Sequence, residues 1–206
     1  DWSSDVCSTD LTTNSLDSQA IHGTRDLFLS LYSSNGTRSW TVLDGTATGS
    51  TYAYAVAVDS SDNAILTGTS NIAIDSQTLK GTQDLIITKY NSSGTRLWTV
   101  QDGAAAGTLY GYSVALDSRG YIYVAGSTNI TFDSQTKTGT QDVFVTVYNS
   151  LGSRQSTSLN GVAAGTAAAY SVCTDSAYNF YSTGKTNTGL NSQTQNGTWD
   201  AFIKQN

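Results

Sequence analysis

GTQDLIITKYNSSGTRLW, running from Gly81 to Trp98, decides the fold. Fifty-eight residues earlier the chain reads GTRDLFLSLYSSNGTRSW from Gly23, and 58 residues later GTQDVFVTVYNSLGSRQS from Gly139, with GTWDAFIKQN opening the pattern again at Gly197. No insertion or deletion breaks the register. The same step links Tyr54, Tyr112 and Tyr170, then Asp59, Asp117 and Asp175, then Gly68, Gly126 and Gly184. A fixed period of this length marks an array of supersecondary units.

Within one unit the apolar and β-branched runs are short and bounded by turn residues, which predicts strands rather than helices. In the second unit these fall at residues 52–59, 64–69, 84–90 and 95–101. Asp59-Ser60-Ser61-Asp62-Asn63 and Asn91-Ser92-Ser93-Gly94 supply the hairpin turns, since Asx side chains cap local N–H groups and glycine accepts a positive φ. Four antiparallel strands in each 58-residue unit predict an all-β chain built as propeller blades. The register divides the sequence into residues 1–11, a partial blade at 12–50, blades at 51–108 and 109–166, and a partial blade at 167–206.

Composition agrees with this reading. The 206 residues contain no Pro and no Met, all sixteen acidic residues are Asp, and Thr, Ser, Gly, Tyr and Val abound. Helix formers are scarce and strand formers plentiful. Hydrophobic content of 38% with 13% charged residues argues for a packed globular chain, and no apolar run reaches the length of a membrane-spanning helix. A net charge of −6 without a basic cluster argues against a nucleic-acid partner.

The stretch Asp117-Ser118-Arg119-Gly120-Tyr121-Ile122-Tyr123-Val124-Ala125-Gly126, together with Gly81-Thr82-Gln83-Asp84, Lys89-Tyr90-Asn91-Ser92-Ser93-Gly94 and Trp98, resembles the bacterial seven-bladed β-propeller repeat called SBBP. The resemblance runs from about Thr12 to the end and departs at Ser156, where earlier units carry Trp40 and Trp98. It implies an extracellular or cell-surface bacterial protein. Asp1–Leu11, DWSSDVCSTDL, instead resembles the translation of a sequencing adapter, and Asp10 stands in the slot held by Gly68, Gly126 and Gly184. That reading expects no strand before Thr12 and a native chain that continues upstream.

Asp26, Asp84, Asp142 and Asp200 each follow a Gly-Thr-X step, where an Asp is expected to bind turn N–H groups. The loop residues Asp75, Gln77, Asp133 and Gln135 are the candidate ligand contacts, with Asp17 and Asn191 in the same register. One carboxylate per loop is too few for a calcium site. Arg38, Arg96 and Arg154 are read as solvated surface, Trp40 and Trp98 as inter-blade packing, and Cys173 as a small buried thiol. His22 is the single histidine and shows no partner, so no catalytic residue, metal site or cofactor site is expected. The function expected is a non-catalytic scaffold that binds protein or glycan. The alternatives are a hydrolase or lyase whose active centre lies in other blades, and a self-assembly module that completes open blades between chains.

Overall fold

The computed structural model describes residues 6–205, with side chains from residue 12 onward. Fourteen strands form four antiparallel sheets, and no helix occurs among the described residues. The first sheet contains β1 (Val6–Thr12), β2 (Asp26–Tyr32) and β3 (Arg38–Asp44). The second is β4 (Thr51–Val58), β5 (Ala64–Ser70), β6 (Asp84–Tyr90) and β7 (Arg96–Asp102), and the third is β8 (Leu109–Leu116), β9 (Ile122–Thr128), β10 (Asp142–Tyr148) and β11 (Arg154–Asn160). The fourth holds β12 (Ala167–Thr174), β13 (Phe180–Thr186) and β14 (Asp200–Gln205). The four strands expected in the second unit are all present, within one residue at every boundary.

The expectation that no strand precedes Thr12 is corrected. β1 pairs with β2 over seven residues, and Asp10 lies opposite Phe28 as Gly68 lies opposite Ile86. A strand needs only backbone N–H and C=O groups and an alternating pattern to join the open edge of β2, so this segment pairs whatever its origin. Trp2, which the same reading sets aside, lies outside the described residues.

The sheets stack as propeller blades, and the first strand of each blade packs on the blade before it. β8 lies against β4, β5 and β6, and β12 lies against β8, β9 and β10. The core therefore sits in layers between blades. Leu27 and Leu29 meet Ala53, Leu66 and Ile86; Ile65, Leu85 and Ile87 meet Leu109, Val114 and Val124; Val143 and Val145 meet Ala167, Ala169 and Val172. β5, β6, β9 and β10 are covered on both faces and buried throughout, which explains why their sequences read as continuous apolar and β-branched runs. Backbone bonds stitch neighbouring blades as well: the N–H of Leu109 donates to the carbonyl of Gln83 at 3.0 Å, with Thr51 to Arg25 and Ala167 to Gln141 repeating it.

Turn chemistry repeats as faithfully. Asp117 accepts the N–H groups of Arg119 and Tyr121, the Arg119 guanidinium and the Tyr123 hydroxyl, and Asp59 likewise accepts the N–H groups of Ser61 and Asn63 and pairs with Lys89 at 2.7 Å. Burial acts to raise both carboxyls, but these donors outweigh it and hold the pair below the ordinary Asp value. A carboxyl lowered on folding contributes stability that is present above its unfolded pKa of about 3.9 and is lost as pH falls through the folded value. Urea midpoints are therefore expected to hold steady above about pH 5 and to drop below about pH 4. Asp117→Asn should make that drop shallower, which a pH series of urea titrations would measure.

Candidate functional site

The second, third and fourth blades each open with a strand that carries a β-bulge at a fixed place. Pairing of β4 with β5 shifts register between Ala53 and Ala55, β8 with β9 between Gly111 and Ser113, and β12 with β13 between Ala169 and Ser171. The residues that the ladder register skips are Tyr54, Tyr112 and Tyr170. A bulge re-aims the side chain it carries. Here it brings three rings from three blades into one strip, with centroids 5.5 Å apart between Tyr54 and Tyr112 and 5.3 Å between Tyr112 and Tyr170.

Tyr52 stacks on Tyr54 at 6.1 Å and Tyr110 on Tyr112 at 5.8 Å, which widens the strip to five rings. Tyr54 is 39% exposed and Tyr170 47%, whereas most other rings in the blades are covered. Burial between its neighbours pushes the Tyr112 hydroxyl above its ordinary pKa, so it stays a neutral donor at physiological pH. Cations stand at both ends. Arg25 donates to the Tyr52 hydroxyl at 2.6 Å, and the Lys185 ammonium sits 5.6 Å from the Tyr170 ring centroid and 4.6 Å from that of Trp199. A row of half-open rings with hydroxyl rims and flanking cations can stack on flat apolar faces and bond the polar groups around them.

Residues 97–133 match the SBBP beta-propeller repeat. No curated protein matches the chain. The SBBP match runs from β7 through β8 and β9 to the loop residue Asp133, and it contains two strip tyrosines, Tyr110 and Tyr112. The 58-residue register places Tyr54 and Tyr170 at the equivalent position in the neighbouring copies.

In the blades the repeated Asp residues act on the backbone. Asp84 takes the N–H of Lys80 at 2.7 Å and of Gly81 at 2.8 Å, and Asp26, Asp142 and Asp200 repeat both bonds. Gly103 and Gly161 lie so close to Asp84 and Asp142 that a Cβ would fall 1.9 Å from the carboxylate oxygen. The Trp40 indole donates to the carbonyl of Ser92 and packs on Gly94 of the next blade, and Trp98 packs on Gly152 in the same way.

The loops that hold Asp75, Gln77, Asp133 and Gln135 are two-residue turns. Asp75 and Ser76, like Asp133 and Ser134, both have φ between 47° and 60°, the left-handed conformation that such a turn needs and that Asp tolerates. The Asp75 carboxylate meets Arg96 at 2.8 Å, and Asp133 meets Arg154 at 2.8 Å, while Gln77 and Gln135 close their turns through backbone bonds.

Three sequence expectations are corrected here. Arg96 and Arg154 are not free surface groups: each also reaches back to the preceding blade, pairing at 2.5 Å with Asp44 and Asp102, which accept the buried Tyr90 and Tyr148 hydroxyls too. Arg38 pairs with Asp17. His22 has a partner, since its Nδ1 lies 3.1 Å from the Asp26 carboxylate. Cys173 is exposed rather than buried, because the face of β12 that carries it is not covered as the matching faces of β4 and β8 are.

Proposed function

We propose that the chain is a non-catalytic binding module in which the blades are a rigid scaffold and the tyrosine strip receives a glycan. The strip carries the reading: three rings brought together from three blades by repeated bulges and widened to five by Tyr52 and Tyr110, exposed at Tyr54 and Tyr170 and flanked by Arg25 and Lys185. Sugar rings have flat C–H faces that stack on aromatic rings, and their hydroxyls suit the tyrosine rims. The recurring carboxylates support a non-catalytic role, since they are engaged with backbone N–H groups and arginines. An extracellular setting on a bacterial surface is the matching proposal for location.

The test is a panel of neutral and acidic oligosaccharides on an array, followed by titration of the strongest binder. Tyr112→Ala is expected to weaken binding about tenfold, the scale of roughly 0.5–1.5 kcal/mol per aromatic contact. The loop double variant Asp133→Ala, Gln135→Ala should leave it unchanged. Silence across the panel, or loss only in the loop variant, would overturn the assignment to the strip.

A further inference from the structure

Of the five arginines in the chain, four are held by carboxylates. Arg38 pairs with Asp17, Arg96 with Asp44 and Asp75, Arg119 with Asp117, and Arg154 with Asp102 and Asp133. Arg25 differs: among the described residues no carboxylate pairs with it, in a chain with sixteen aspartates and a net charge of −6. Its contact is the tyrosine strip. The guanidinium donates to the Tyr52 hydroxyl at 2.6 Å, and its carbon lies 5.7 Å from the centre of the same ring.

The second blade fixes this position. The N–H of Thr24 donates to the carbonyl of Gly49 at 2.8 Å and the N–H of Thr51 to the carbonyl of Arg25 at 2.9 Å, which holds the Gly-Thr-X step against the start of β4, the strand of Tyr52 and Tyr54. By the 58-residue step the other copies carry Gln83, Gln141 and Trp199 here, so the cation occurs once. Gln141 donates to the Ser127 hydroxyl at 2.8 Å. Blade packing does not require the charge, because glutamine fills the same place in the next two copies.

A guanidinium offers two parallel N–H groups to a carboxylate and keeps its charge across the ordinary pH range. The Tyr52 and Tyr54 rings stack with centroids 6.1 Å apart, so a sugar lying on this pair sits beside Arg25. A uronic acid carries its carboxylate directly on the pyranose ring, which puts that group within reach of the guanidinium. A neutral sugar leaves Arg25 to solvent, and an amino sugar with a charged ammonium is repelled by it.

We propose that the strip selects an acidic glycan, with the carboxylate of a uronic acid bound by Arg25 and its pyranose ring stacked at Tyr52 and Tyr54. The assignment rests on the glycan reading of the strip and adds to it the charge of the sugar and the end of the strip where that charge lies.

The test titrates the whole chain with trisaccharides of galacturonic, mannuronic and glucuronic acid, each beside its methyl ester, which keeps ring and linkage and removes the charge. At least one acid is expected to bind about fivefold tighter than its ester at low salt, the scale of an exposed ion pair, with the gain shrinking as salt is added. Arg25→Gln copies the residue of the sister blades and should bring the acid down to the affinity of its ester. Arg25→Lys should keep part of the gain, since an ammonium retains the charge without the fork. Equal binding of acid and ester, or a preference that survives Arg25→Gln, would overturn the proposal and leave the strip reading in place. Binding of a neutral glycan with no binding of any uronide would do the same, whereas silence of every glycan would overturn both.

Discussion

Gly126→Ala is expected to destabilise the fold by about 3 kcal/mol, read as a lowered urea midpoint. A Cβ on Gly126 would fall 1.7 Å from the carbonyl oxygen of Tyr110 and 2.9 Å from the Phe144 ring. The first contact is with backbone, so no rotamer change relieves it. β8 approaches β9 this closely because the bulge at Tyr112 draws its backbone inward, and Gly68 and Gly184 meet the same close approach, at 1.8 and 1.9 Å. The substitution should also disturb the bulge and so the tyrosine strip, weakening any ligand held there. A contrast is Gly36→Ala, where nothing lies within 4 Å and only the positive φ of 81° opposes the change. That variant should lose about 1 kcal/mol, near the ordinary penalty for a left-handed non-glycine residue.

Asp142→Ala should cost a comparable 2–4 kcal/mol or so, for an electrostatic rather than a steric reason. The carboxylate is wholly buried and takes the N–H groups of Thr138 and Gly139, both at 2.7 Å, where β10 begins. Alanine would leave two donors without an acceptor and open a space beside Gly161, which has no side chain to fill it. Asp142→Asn keeps one acceptor oxygen and should fall between wild type and alanine. The measurement is urea denaturation combined with amide exchange at Gly139, which should speed up in the alanine variant before global unfolding. Because the bond pair recurs at Asp26, Asp84 and Asp200, the same substitution at the half-covered Asp200 should cost less than at the three wholly buried positions.

How far the sequence carried the reading varies from residue to residue. Asp117 and Asn91 were legible as turn caps because their hydrogen bonds reach only two and four residues along the chain. The strand boundaries of the second unit were legible for a similar reason, since hairpin signals and alternation are local. Arg96 was misread because its deciding partner, Asp44, lies 52 residues away in another blade. His22 was a nearer miss: its partner Asp26 is only four residues on, but the turn that folds the ring back onto it is not written in the residue types. Tyr54, Tyr112 and Tyr170 were visible as a recurring position, yet nothing in their spacing says that a bulge turns all three toward one surface.

By itself, then, the sequence determined the 58-residue period, the all-β blades and the turn residues, because those follow from local backbone preferences repeated in register. Only the tertiary structure decided which groups meet across blades. The Tyr–Asp–Arg ties, the tyrosine strip and the exposure of Cys173 all depend on how one sheet lies against the next, and that stacking brings together residues too far apart in the chain for local propensity to couple them.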